Sequence, residues 1–268
     1  MALRIISAAV LIPIVLAGVM YATPWPLVIA LGIIGTLCLY EYFGLMRSMG
    51  LSGQSWFGYT SAWVLLLGFH SQWIPVPLLL AAVLMAGFVA AIFRRDSMRD
   101  RSLGLMVNML GALYPALFLY PAVAIRFEFG EKRGLQWFLM LLVIIWLGDT
   151  FALIVGNRFG CTPFAPRISP KKTSEGAVGG FLAGVAGALL LQHFLFQELP
   201  LIHVVSLAII LGIFGQLGDL AESMLKRSAE IKDSSRLIPG HGGVLDRIDS
   251  LLFAFPVTQL YLLFLYQP

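Results

Sequence analysis

Glu222, Ser223 and Lys226 follow Asp219 by three, four and seven positions. An α-helix brings all four to one face. Further along, Asp246 and Asp249 stand three apart and share a face of any helix that begins there. Two such faces offer oxygen ligands to a hard cation. Mg2+ suits them, because it takes one or two carboxylates, keeps several waters and completes its shell with substrate phosphates. The carboxylates on these faces, Asp219, Glu222, Asp246 and Asp249, are the candidates for such a cation. Between the two faces lies Pro239-Gly240-His241-Gly242-Gly243. Glycine permits close backbone approach and unusual angles, so amide N–H groups there can cradle phosphate oxygens. Gly242 and Gly243 are read as substrate-binding on this ground. Lys171, Lys172, Lys226, Arg227 and Arg247 can neutralise the same oxygens. For His241, three roles stay open: phosphate donor, proton carrier and structural hydrogen-bonder. The chemistry implied is that of a polyphosphate bound with a divalent metal.

The chain that must position these groups is 59% hydrophobic and 12% charged, with mean hydropathy +0.88. Soluble domains carry roughly twice that charge, about 25%. Most of this chain must face lipid or other apolar helices. A bilayer crossing takes about 20 apolar residues, and that length rule gives about nine spans. They fall near 4–22, 26–46, 57–71, 75–93, 103–125, 135–157, 176–197, 201–222 and 249–266. The first is read as a retained span rather than a cleaved leader. Glycines from Gly176 to Gly187 suit close helix packing in the seventh. The two cysteines, Cys38 and Cys161, share no metal-binding spacing, so neither a disulfide framework nor a zinc site is expected.

With the N-terminus in the cytoplasm, basic residues gather on the inner side, and Arg126, Lys132 and Arg133 alone remain outside. This bias follows the positive-inside rule and puts the C-terminus outside. The fold expected is all-α: a polytopic integral membrane protein with about nine transmembrane helices. Five spans make up an N-terminal part, 1–134, and four make up a catalytic part, 135–268. Two polar loops, 158–175 and 223–248, face the cytoplasm together. Asp149 lies inside the sixth span, where an ionisable group is costly and so a functional candidate. Leu147-Gly148-Asp149 is echoed by Leu217-Gly218-Asp219 in the eighth span.

Ser223-Met224-Leu225-Lys226-Arg227, Lys232-Asp233 and Pro239 to Asp249 together resemble the signature of the CTP:phosphatidate cytidylyltransferases, the CDP-diacylglycerol synthases. Ser169-Pro170-Lys171-Lys172-Thr173 and Glu175-Gly176 resemble a second block of that family. Ser174 departs from it, standing where an aromatic residue is common. The likeness is close over the C-terminal half. In the N-terminal half it is only a run of apolar spans. It implies an all-helical membrane enzyme, a homodimer, using Mg2+ and in some members K+ as a second cation. It implies metal binding by Asp219 and Asp246, with Asp249 and Asp233 as weaker candidates. Ser223, Lys226 and Arg227 match active-site positions, and Asp233, His241 and Arg247 are grouped with them as catalytic candidates. Asp149, Lys171, Lys172 and Thr173 are grouped with the substrate-binding ones.

The reaction implied joins CTP to phosphatidate, giving CDP-diacylglycerol and pyrophosphate for phospholipid synthesis. No nucleic acid takes part. The short N-terminus points to a bacterial plasma membrane, with the active site facing the cytoplasm. A CTP-dependent lipid kinase would need a similar site and is the main alternative. An ion-coupled transporter would also use intramembrane acids, but here the polar groups cluster at one face. A CDP-alcohol phosphotransferase is disfavoured because its DGxxAR run is missing from the sequence.

Overall fold

The computed structural model describes residues 2–235, 237–238 and 242–266, and over 2–10 the backbone only. Among the described residues the chain forms nine helices. They are α1 (Ala2–Tyr21), α2 (Pro24–Ser48), α3 (Ser55–Ser71), α4 (Val76–Ile92), α5 (Met98–Phe127), α6 (Glu131–Phe159), α7 (Ser174–Phe194), α8 (Leu201–Ser228) and α9 (Leu245–Phe264). Each expected span finds its helix, with ends displaced by a few residues. Six of them, α2 and α5 to α9, are long and apolar enough to cross a membrane. α3 and α4 fall short. They have 17 residues each, which is about 26 Å of helix against a hydrocarbon core of about 30 Å. In α1 the side chains are described from Leu11 on, and Leu11–Tyr21 is apolar helix.

Two differences from the expected layout bear on the site. The loop after α6 is not wholly irregular: β1 (Pro163–Ala165) and β2 (Ser169–Thr173) pair antiparallel, with Pro163 opposite Thr173 and Ala165 opposite Ser169. The second polar loop is shorter than its expected limits, 223–248. α8 runs on to Ser228 and α9 begins at Leu245, so Ser223, Lys226, Arg227, Asp246 and Arg247 are helical. Arg236, Pro239, Gly240 and His241, with Met1, Gln267 and Pro268, lie outside the described residues.

The chain divides into two compact units: 1–120 with 225–247, and 121–224 with 248–268. In the first, Leu65 and Phe69 of α3 pack with Leu79 and Val83 of α4 and Ala112 and Ala116 of α5. Glycines admit large rings between helices: Trp63 lies over Gly32, and Phe43 over Gly58. The Trp63 indole donates to Thr36 Oγ1 at 3.0 Å, and the Tyr42 hydroxyl donates to the Val107 carbonyl at 3.1 Å. These polar tips thus find partners inside apolar packing, as buried Trp and Tyr require.

The second unit is built on α6 against α7. Gly176, Gly180 and Gly184 recur every fourth residue and so form one stripe of α7. A Cβ on Gly180 would strike the Gly148 carbonyl oxygen of α6, and one on Gly184 would come within 3.0 Å of the Ile144 carbonyl oxygen. The backbones approach as closely as small residues allow, which is the close packing expected from this glycine run. α9 packs similarly on α8, where Gly218 faces the Asp249 carbonyl oxygen.

Candidate active site

In the first unit the site residues surround the start of α9. The N-terminal amides of a helix have no partners within it and carry the positive end of its dipole. Here carboxylates take them up. Asp246, in the first turn of α9, accepts from Gly243 N, three residues earlier, at 2.8 Å, from Ser234 N at 2.9 Å and from Ser234 Oγ at 2.8 Å, all on Oδ2. Its Oδ1 receives Lys226 Nζ at 2.5 Å. Lys226 and Asp246 are both buried. Together they tie the end of α8 to the start of α9 and close the loop between them.

That loop needs its glycines for local reasons. Gly242 has φ +80, and a Cβ there would stand 2.7 Å from Asp246 Oδ2. Its carbonyl accepts from Ile238 N at 2.9 Å. Gly243 is enclosed by Ser234 Oγ and the carboxylate of Glu41. The Gly243 amide, read from sequence as a phosphate donor, points at Asp246. Asp233, Arg227 and Arg247 are exposed, and Arg227 Nη1 donates to the Ile231 carbonyl at 3.1 Å. His241 lies outside the described residues.

Glu41, on α2, was not singled out from the sequence. It is 1% exposed and accepts four hydrogen bonds, two from Ser234 and Ser235 and two from the amides that open α9. The donors are Ser234 Oγ at 3.0 Å, Ser235 Oγ at 2.6 Å, Val244 N at 2.8 Å and Leu245 N at 2.7 Å. A signal was present, since Glu41 is the one acid in the 25 residues of α2. The rule that picks out Asp149 as an intramembrane acid applies to it equally.

In the second unit the hairpin delivers Lys172 to α8. Thr173 caps α7, its Oγ1 accepting from Gly176 N at 3.2 Å. Glu175 accepts from Cys161 N and Thr162 N, each at 3.1 Å on Oε2, and so pins the start of the hairpin. At the far end of β2, Lys172 Nζ meets Asp219 Oδ2 at 2.6 Å, with both side chains about one-third exposed. Lys171 is exposed beside it. Ser223 Oγ lies 3.4 Å from Asp219 Oδ1, at the limit of a hydrogen bond. Asp249 accepts from Ser250 N at 2.7 Å, and Ser250 Oγ lies 3.4 Å from Asp149 Oδ1. Asp149 also borders a small cavity with Gly148, Gly180, Gly212, Gly215 and Gln216. Glu222 is fully buried on α8.

Among the described residues no three His, Cys, Asp or Glu side chains form a ready-made metal cage. That is no obstacle for Mg2+, which needs few protein ligands. Asp219 and Asp246 each hold a lysine ammonium, so both already sit where positive charge is favoured. Each also keeps acceptor capacity on its lysine-bound or facing oxygen. The donor set is oxygen throughout, carboxylates with serine hydroxyls beside them, which suits a hard cation. Chemically, each unit by itself offers cationic donors, Lys171 and Lys172 in the second and Arg227 and Arg247 in the first, together with carboxylate oxygens.

Comparison with known proteins places this geometry in a lineage. A family model described as the cytidylyltransferase family matches residues 2–265. The phosphatidate cytidylyltransferase of Bacillus subtilis is 31% identical over 264 residues, 96% of this chain and 94% of that one. Those of Staphylococcus epidermidis and Staphylococcus saprophyticus are 42% and 43% identical over 133 residues, 50% of this chain. In these two matches the chain spans about half the length of the relative, 51%. The long match and the chain-wide family model agree with the resemblance carried by the 223–249 stretch. The chain belongs to the cytidylyltransferase family.

Proposed function

We propose that this chain transfers the cytidylyl group of CTP to phosphatidate, forming CDP-diacylglycerol and pyrophosphate. The observation that carries the reading is the bonded cluster of signature residues: Lys226, Asp246, Gly242 and Gly243 form one closed unit at the start of α9. The name of the Bacillus relative, matched over nearly the whole of both chains, supports the same activity. In the reaction an oxygen of the phosphatidate phosphate attacks the α-phosphorus of CTP. The bond from that phosphorus to the bridging oxygen breaks, and pyrophosphate leaves with the electron pair. At neutral pH a phosphomonoester carries a charge of about −1.5 to −2. Its oxygen is already a nucleophile, so no strong base is needed.

The main barrier is the meeting of two polyanions, and positioned cations lower it. Lys171 and Lys172, at the end of the hairpin, hold phosphate oxygens. Lys226 keeps Asp246 oriented, and Arg227 and Arg247 screen the approach. The acids proposed to hold Mg2+ are Asp219 and Asp246, with Asp249 the weaker candidate. When bound, the ion supplies charge neutralisation for CTP and for the departing pyrophosphate. K+ as a second cation rests on the family resemblance, as does a homodimer.

The six apolar helices and the bacterial relatives support a bacterial membrane protein. The finer reading is a multi-pass plasma-membrane enzyme with nine spans, its N-terminus and its active site facing the cytoplasm. It is supported by the placement of basic residues. The test is to incubate the purified protein in detergent with CTP, phosphatidate and Mg2+. Mass analysis should find a CDP-linked lipid and pyrophosphate in equal amounts. A lipid bearing only an added phosphate, with CDP released, would replace this reading with the kinase.

A further inference from the structure

We infer that Glu41 is a positioning residue for the cytidylyl transfer: from α2 it clamps Ser234 and Ser235 to Val244 and Leu245 at the start of α9 and, through Ser234, fixes Asp246. The inference rests on the function just proposed. A carboxylate that is 1% exposed is costly to bury unless its oxygens are hydrogen-bonded. Glu41 meets that demand with four donors, two on each oxygen. Oε1 takes Ser235 Oγ and Val244 N, and Oε2 takes Ser234 Oγ and Leu245 N. The two amides open α9, where partners for N–H groups are otherwise lacking and negative charge is favoured.

Ser234 connects this clamp to the signature acid. Its hydroxyl lies 3.0 Å from Glu41 Oε2 and 2.8 Å from Asp246 Oδ2, so one proton is shared between two carboxylates. Asp246 in turn holds Lys226. The chain of bonds therefore runs Glu41–Ser234–Asp246–Lys226, from the N-terminal helices to the signature residues.

The donor pattern makes a sharp demand on chemistry. Each oxygen of Glu41 carries one main-chain amide, and an amide cannot turn away as a hydroxyl can. In Glu41→Gln, either orientation of the side-chain amide sets its NH2 against a main-chain N–H. The isosteric variant must therefore lose the clamp although its shape is kept. Glu41→Asp retains both acceptors on a shorter arm and should recover part of it.

The experiment joins hydrogen exchange with kinetics on the full chain in detergent. In Glu41→Gln, exchange in peptides covering 234–247 should rise by about tenfold, with other helices unchanged. Its kcat/KM should fall by about tenfold to a hundredfold, including a raised KM for CTP, and Glu41→Asp should lie between it and the wild type. Unchanged exchange and kinetics would overturn the inference. So would an exchange gain spread evenly over all helices, or an Asp variant no better than Gln. Should Glu41→Gln fail to fold, Ser235→Ala, which removes one donor alone, must still raise exchange in the same peptides. Its silence would equally overturn the proposal. Exchange is read without substrates. A wild-type protein that makes no CDP-linked lipid therefore counts against the function and leaves the clamp to be judged by exchange.

Discussion

Lys226 Nζ and Asp246 Oδ1 stand 2.5 Å apart with their side chains 11% and 5% exposed. An ion pair this far from water is stabilising only as a pair, because losing one partner strands the other charge, at a cost of about 3–5 kcal/mol. Lys226→Ala and Asp246→Asn should each lower the thermal midpoint in detergent and abolish turnover. The double variant Lys226→Met, Asp246→Leu should regain much of the midpoint and none of the activity. Recovery of both, or of neither, would mean that the pair's chemical and structural roles are not separable in this way. Unfolding curves and CTP turnover on the four proteins decide it.

Lys172 and Asp219 make the contrasting pair. At 2.6 Å, but with side chains 29% and 32% exposed, they are screened by solvent. Such pairs contribute about 0–1 kcal/mol. Lys172→Ala and Asp219→Asn should therefore leave the midpoint almost unmoved while turnover falls at least about a hundredfold, the scale of lost electrostatic stabilisation. For Asp219→Asn the Mg2+ concentration giving half-maximal rate should also rise. Near-normal activity with an unaltered Mg2+ requirement would remove Asp219 from the metal assignment.

The α6–α7 contact predicts a purely structural failure. Gly180 faces the Gly148 carbonyl oxygen, and its added Cβ would also come within 2.8 Å of Ala152 Cβ. Both obstacles belong to the opposing helix and neither is a flexible side chain. Gly180→Ala should destabilise by about 1–3 kcal/mol, the usual cost of overpacking. At Gly44, where a Cβ meets nothing within 4 Å, the same change should be tolerated. Comparing midpoints of the two variants checks the claim.

The helices were legible because long apolar runs have few ways to satisfy their backbone other than by coiling. The glycine stripe of α7 likewise announced its packing. Within the site, the helical spacing from Asp219 to Lys226 was readable, but the pairing of Lys226 with Asp246 was not. That contact joins positions 20 apart across a loop whose closure depends on Gly242 adopting positive φ. The β1–β2 hairpin was hidden because Ser169-Pro170-Lys171-Lys172-Thr173 has no apolar alternation and lies outside the apolar spans. Glu41 was overlooked for a different reason. Its partners lie about 200 positions away, and its neighbours in sequence suggest only a lipid-facing or packed helix.

The orientation of the chain can be tested with a residue already in place. Cys161 is exposed, between α6 and β1, whereas Cys38 is buried. If the N-terminus is cytoplasmic and nine helices cross, the 158–175 segment faces the cytoplasm. A membrane-impermeant maleimide should then label Cys161 in inverted vesicles and spare it in intact spheroplasts. Cys38 should stay silent in both. Arg133 is exposed near the start of α6, at the opposite end of that helix from Cys161. In a Cys161→Ser background, Arg133→Cys should therefore give the reverse pattern. Because one helix separates the two positions, labelling of both from the same side would show that α6 does not cross. Cys161 labelled from outside, with Arg133→Cys labelled from inside, would instead invert the topology. CTP, held on the cytoplasmic side, would then have no access to Lys172 and Asp219.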